Sequence, residues 1–226
     1  ATGNQVSSSA LAVTLDATNP TIAGSATTVT FTEDQGVEGS SNDVLLGLSA
    51  SDTNGVVSGS VSIASPTSGD RLVYTAQAGV TATLSNGDTT LTFSTTAGSQ
   101  AALATLLSSV KYDNTSETPV AGARTVNFAV TDAAGNNNST TVAVNVVATN
   151  DNTAITAGTT AFSSVGHSVL SVTGVSLADL DGTVNVTLTS TNGQLSSTAG
   201  ALVDASASPG IQLVGTVSAV NTLLAG

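Results

Sequence analysis

Cysteine, methionine and tryptophan are absent from this 226-residue chain, which has only one His and 4 Pro. Without cysteine there are no disulfides, no thiol nucleophile and no zinc–sulfur site. A single histidine leaves little for acid–base chemistry near neutral pH. Lys and Arg number 3 against 15 Asp and Glu, a formal net charge of −12. Neutralising phosphates takes clustered basic residues, so nucleic acid is not an expected partner. Two Tyr and four Phe are all the aromatics, too few to furnish stacking platforms for sugars. No apolar run approaches the 18 residues of a membrane-spanning helix, so no membrane insertion is expected, and no basic-then-apolar stretch reads as a signal peptide. These absences point away from an enzyme and from a glycan-binding module.

Thr, Ser, Val, Ala, Asn and Gly dominate what is present. They are β-branched strand formers alternating with turn formers. With 40% hydrophobic and 8% charged residues, the chain has the means to bury a core and is not a disordered acidic tail. A small all-β protein lacking disulfides often gains its cross-links from bound metal.

Three echoes recur in order. Leu11-Ala12-Val13-Thr14-Leu15 runs into Ala17-Thr18-Asn19-Pro20, as Val142 to Val147 runs into Ala148-Thr149-Asn150-Asp151. Asp52-Thr53-Asn54-Gly55 is matched by Asp179-Leu180-Asp181-Gly182, and Ala101 to Leu107 by Val217 to Leu224. A tandem repeat of about 125 to 130 residues follows. Its register makes residues 1–18 the last strand and linker of a preceding repeat. Residues 19–150 form a complete repeat, and 151–226 the front part of a second, incomplete one. The incomplete repeat is read either as a cut through a longer array or as a domain completed by another subunit.

Period-2 alternation bounded by Gly, Asn, Asp and Pro predicts strands at 26–32, 43–50, 57–63, 71–75, 80–84, 89–95, 109–113, 124–131 and 140–148. Asn86-Gly87 signals a type I′ hairpin. Ser99 to Ser108 reads as a helix, with Ser99 as its cap and Ala102, Leu103, Leu106 and Leu107 on one face. The expected fold is all-β: tandem Greek-key β-sandwich domains, cadherin- or immunoglobulin-like, with one short helix per repeat.

Alternating strand directions gather Asp52, Asn54 and Asp132 beside the leading linker. They also gather Glu33 and Asp34 beside the exit linker Asn150-Asp151-Asn152, where Asp179 and Asp181 of the next repeat arrive. Carboxylates that converge with almost no Lys or Arg to pair them repel one another. Hard divalent cations relieve this, because Ca²⁺ takes six to eight oxygens from carboxylates, amides and carbonyls. The predicted metal ligands are therefore Glu33, Asp34, Asn150, Asp151, Asn152, Asp179 and Asp181, with Asp52, Asn54 and Asp132 at the leading site. Ordinary turn formation by Asp, Asn and Gly is the competing account of each cluster.

Glu33 after an initial strand, Asp52-x-Asn54-Gly55, Thr131-Asp132-x-x-Gly135 and Asn150-Asp151-Asn152 resemble the calcium signature of cadherin repeats. The Leu-rich helical turn before Tyr112, followed by Thr125 to Asp132, is similar to the cadherin-like repeats of very large bacterial surface proteins. The resemblance implies Ca²⁺ at the junctions and a role as spacer, adhesin or surface-layer component. The chain departs from that pattern in several places. No mid-domain acidic motif is recognisable. Thr149 stands where the linker's leading Asp is expected, and Thr160 where a second Glu33 is expected. Asn54 and Pro20 replace acids at the leading junction. Together these departures imply fewer ions than in a full cadherin junction, with the leading site the weaker of the two.

The resulting expectation is a secreted bacterial cell-surface module, calcium-stiffened and extracellular, whose partners are neighbouring repeats of the same chain. The alternative is a self-assembling subunit of a surface layer or filament, with identical subunits joined by donor-strand exchange. His167 lacks an accompanying Gly-x-Ser-x-Gly elbow and reads as a surface residue. Asp70-Arg71 reads as a loop followed by a strand start, and Lys111 to Asp113 as a strand end. Three Asn-x-Ser/Thr matches, at Asn114, Asn138 and Asn185, are expected by chance in this composition.

Overall fold

The structure is a computed structural model, described here for residues 16–24, 28–33, 43–96, 99–158, 173–179, 182–189, 203–204 and 210–225. Strands β1 (Thr21–Gly24), β2 (Thr28–Thr32), β3 (Val44–Leu45), β4 (Leu48–Ser51), β5 (Val56–Ala64), β6 (Asp70–Val73), β7 (Val80–Ser85) and β8 (Thr90–Thr95) come first. Helix α1 (Gln100–Ser108) follows, then β9 (Lys111–Asn114), β10 (Gly122–Asp132) and β11 (Asn137–Val147). The remaining elements are β12 (Ala154–Ala157), β13 (Val175–Ala178), β14 (Thr183–Thr189), β15 (Val203–Asp204), β16 (Gly210–Thr216) and α2 (Val217–Leu224). The chain is mostly β, in several sheets. It divides into one compact unit of residues 1–31, 42–115 and 120–147, and a second of 32–41, 116–119 and 148–226.

The first unit is built on a six-stranded sheet in the order β2-β11-β10-β5-β8-β7, with smaller sheets β3-β9-β6 and β1-β4. Alternation decides which side chains enter its core. Val126, Phe128 and Val130 of β10 and Val142, Val144 and Val146 of β11 are buried, while Asn127, Ala129, Ala143 and Asn145 between them are exposed or half-buried. Phe31 meets Tyr112 edge-on, with ring centroids 5.4 Å apart. Leu103, Leu106 and Leu107 of α1 pack into the same core.

The second unit has its own apolar cluster of Leu177, Val184, Ile211, Leu213, Val220 and Leu224. Its β12–β13, β14–β16 and β15–β16 pairs are antiparallel, as are β1–β4, β5–β8 and β7–β8.

Local details differ from the sequence expectations for physical reasons. The run at 43–50 is two strands in different sheets, broken at Gly47, whose φ of 63° suits glycine. A strand at 21–24 was not expected, and it pairs with β4. The Asn86-Gly87 hairpin is not a two-residue type I′ turn, because Ser85 pairs with Thr90 and the loop is longer. Asn86, Gly87 and Asp88 all have positive φ there, and Asn and Asp tolerate this better than other side chains. Ser99 does not cap α1 with its hydroxyl; its Oγ lies 3.1 Å from Thr96 Oγ1 instead.

Arg71 lies in a strand as expected, but Asp70 is a strand residue too rather than the end of a loop. Asp70 opens β6 and is buried. Its carboxylate accepts from Tyr112 Oη, Asn114 Nδ2 (2.7 Å), Arg124 Nε (2.7 Å) and the Thr67 backbone N–H (2.7 Å). Arg124 also donates to Val120 O at 2.6 Å and Thr67 Oγ1 at 2.7 Å. This network ties three strands and a loop together in the low-dielectric interior, where satisfied polar groups specify one arrangement.

Candidate metal centres

Two groups of carboxylates converge among the described residues, one in each unit. In the first, oxygens of Asp16, Asp52 and Asp132 lie within 4.8 Å of one another. Asp132 ends β10 next to a register shift against β5, and an extra residue of this kind re-aims side chains at a strand end. The turn after β10 is organised by that carboxylate: Oδ1 accepts from Ala134 N at 2.9 Å and Asn136 N at 2.8 Å. Its Oδ2 accepts from Asn136 Nδ2 at 2.8 Å. Asp52 caps its own turn through Asn54 N at 2.8 Å. Asp16 accepts from Thr18 Oγ1 at 2.6 Å, Thr18 N at 3.0 Å and Asn54 Nδ2 at 2.7 Å. The Thr18 hydroxyl and backbone bonds, then the Asn54 amide, hold the Asp16 carboxyl below its ordinary range. This group is an amide- and hydroxyl-satisfied cluster that spreads its negative charge over hydrogen bonds.

The second group is Glu33, Glu117 and Asp151, again with one oxygen each within 4.8 Å of the others. Its environment is drier: Glu33 is 4% and Asp151 2% exposed. Glu33 Oε2 accepts from the backbone N–H of Thr149 at 2.7 Å and from its hydroxyl at 3.1 Å. Glu33 Oε1, Glu117 Oε2 and both carboxylate oxygens of Asp151 are buried atoms that accept no hydrogen bond. Every donor atom in this group is a carboxylate oxygen, a set suited to hard cations such as Ca²⁺ and unsuited to softer metals.

The structure thus distributes the ten predicted ligands unevenly. Glu33 and Asp151 meet in the second group, and Asp52 and Asp132 in the first. Asn54 donates to Asp16 within the first group. Asn150 turns its amide to Asp151 O at 2.8 Å, and Asn152 is exposed. Asp179 accepts a hydrogen bond from Thr153 and belongs to neither group. Asp34 and Asp181 lie outside the described residues, as do Leu11 to Leu15, Thr160 and His167.

Asp16 and Glu117 were not anticipated. Asp16 ends an alternating run and read as part of a strand and linker. Glu117 lies between β9 and β10 in Ser116-Glu117-Thr118, where no repeat and no charge run marks it. No protein-family model matches the chain, and no curated protein matches it.

Proposed function

We propose that this chain is an extracellular structural repeat module, a spacer of Greek-key β-sandwich domains of cadherin-like type in a large bacterial cell-surface protein. Calcium held by Glu33, Glu117 and Asp151 stiffens the linker stretch that follows β11. The observation that carries this reading is the convergence of three carboxylates, two of them almost wholly buried, within 4.8 Å. Two unit charges that close repel by roughly 3 kcal/mol at an effective dielectric of about 20. Three such charges in a buried site cost the folded state heavily, and a divalent cation turns that repulsion into attraction.

When bound, Ca²⁺ supplies charge neutralisation and a cross-link, not chemistry on a substrate. Glu33 follows β2, Glu117 precedes β10 and Asp151 follows β11, so one ion would tie three chain segments distant in sequence. Thr149 already orients Glu33 from the linker side. The scarcity of Lys and Arg, 3 in the whole chain, supports a metal as the counter-charge. Of the two groups, the second is the stronger calcium candidate, because two of its three carboxylates are buried, against one in the first.

The test is thermal melting of the 226-residue chain in EGTA and in millimolar Ca²⁺, with Mg²⁺ as control. A calcium-selective rise is expected, since a ligand that binds only the folded state stabilises it by mass action. An unchanged melting temperature would overturn the calcium reading.

A further inference from the structure

Asparagine side chains hold residues 16–20 against two turns of the first unit. Asn54, in the turn ahead of β5, donates its amide to Asp16 Oδ2 at 2.7 Å and its backbone N–H to Asp52 Oδ1 at 2.8 Å. Asn136, in the turn ahead of β11, donates its amide to Asp132 Oδ2 at 2.8 Å and to Asp16 O at 3.3 Å. Asn138 of β11 donates to Pro20 O at 2.8 Å, and Pro20 is buried. Asn54 and Asn136 each bridge two of the three aspartates that converge there.

Converging carboxylates need positive charge or hydrogen-bond donors to offset their repulsion. The chain's 3 Lys and Arg do not supply it here, because Arg71 pairs with Asp113, Lys111 with Asp43 and Arg124 with Asp70. The carboxylates of Asp16, Asp52 and Asp132 are met instead by amide, backbone and hydroxyl donors at 2.6 to 3.0 Å. Bonds from such donors to an ionised acceptor are about twice as strong as bonds between neutral groups. Asn54 makes the long-range side-chain link among them, joining the turn of Asp52 to a carboxylate 38 positions earlier.

We propose that Asn54 takes the place of a cation at this group, so that residues 16–20 dock on the first unit without metal. An amide and a divalent ion meet the same electrostatic demand with different requirements. The amide is built into the chain and is always present, whereas the ion must be supplied by solution. Asn54→Asp would remove the donor that faces Asp16 Oδ2 at 2.7 Å and put a fourth carboxylate in its place. Positions 16, 52, 54 and 132 would then offer only carboxylate side chains, a set that a hard cation such as Ca²⁺ holds together and that repels without one. Asn54 is thus the residue that decides whether this joint needs calcium.

Backbone ¹⁵N relaxation of Ala17, Thr18 and Asn19 in the full chain tests this, because order parameters of about 0.85 mark rigid backbone and values below about 0.6 flexible backbone. The wild type is expected at about 0.85 in EGTA and in millimolar Ca²⁺ alike. Asn54→Asp is expected below about 0.6 in EGTA and back at the rigid value in Ca²⁺. Combining Asp16→Asn with Asn54→Asp moves the amide to the other side of the same hydrogen bond and should restore order in EGTA. Amides of β5 and β10 should stay rigid in all three chains. A wild type ordered only in Ca²⁺ would overturn the proposal, as would an Asn54→Asp chain indifferent to Ca²⁺ or a combined variant left mobile in EGTA. Glu33, Glu117 and Asp151 contribute no atom to these bonds, so failure here and failure of the calcium reading at that group are separate results.

Discussion

Thr149 donates both its backbone N–H and its hydroxyl to one oxygen of Glu33, at 2.7 and 3.1 Å, across 116 positions of sequence. The pair fixes the direction of the Glu33 carboxylate from within the protein. Glu33 Oε1, the other oxygen, stays buried and accepts no hydrogen bond. An oriented, desolvated carboxylate needs little reorganisation to bind a cation.

Removing one charge from the second cluster should therefore act in opposite directions with and without metal. Glu33→Gln and Asp151→Asn are each expected to raise the melting temperature in EGTA, by relieving repulsion, and to abolish most of the calcium response. With free Ca²⁺ at about 100 times its Kd, the wild type gains about 2.7 kcal/mol, which is roughly 10 °C for a domain of this size. Glu117→Gln should behave likewise, and Asp179→Asn should keep the response. Calorimetric scans in EGTA and Ca²⁺ check all four.

The first cluster should respond to substitution through its turn. Asp132→Ala deletes the acceptor for Ala134 N and Asn136 N. A loss of about 1 to 2 kcal/mol is expected, the magnitude of a lost side-chain cap, and it should be similar in EGTA and in Ca²⁺. Urea unfolding in both buffers measures it.

Asp70 and Arg124 form a buried pair at 2.7 Å, with side chains 0% and 6% exposed. Asp70→Asn leaves a buried guanidinium without its counter-charge, and Arg124→Met does the same to the carboxylate. Each should cost about 3 to 5 kcal/mol. Replacing both together should cost less than the sum, because neither leaves an orphaned charge. A double-mutant cycle by urea unfolding reads the coupling.

The same network sets how stability follows pH. Burial alone would push the Asp70 carboxyl up, but hydrogen bonds from Tyr112, Thr67, Arg124 and Asn114 outweigh it and hold the group below 3.8. Its contribution is thus complete above the unfolded value and is lost as pH falls through the lower folded value. Burial, and then the bond to the Asp70 carboxylate, drives the Tyr112 phenol far above its usual 10. That contribution is complete below pH 10 and is lost as pH rises beyond it. Unfolding free energy measured against pH should fall at both extremes, and Tyr112→Phe should flatten the alkaline limb.

Gly59 is held by space rather than by backbone dihedral. A methyl group there would meet Ala129 O at 2.4 Å and the Phe93 ring at 2.5 Å. Neither yields readily, since one belongs to a paired strand and the other to the core. Gly59→Ala should destabilise the first unit by about 1 to 3 kcal/mol, the usual cost of overpacking, with the calcium-induced rise in melting temperature retained.

How much of this was legible in the sequence depends on the range of each interaction. Most strands follow from local alternation: the run at 124–131 becomes β10 at Gly122–Asp132, and the run at 80–84 becomes β7 at Val80–Ser85. The helix at Gln100–Ser108 likewise follows from its leucine spacing. The break at Gly47 was hidden, because a single positive φ in an apolar run leaves the alternation almost intact.

By itself, then, the sequence determined the β-rich character, the short helices, the excess of carboxylates and the lack of thiol or basic chemistry. These rest on composition and on periods of two and 3.6 residues. Only the tertiary structure decided which acids meet. Asp16 joins Asp132 across 116 positions, and Glu117 joins Glu33 across 84, because strand pairing brings the ends of distant segments together. It also decided that Asp70 is the centre of a buried network rather than a loop residue, since burial comes from what packs around a side chain and not from its neighbours in the chain.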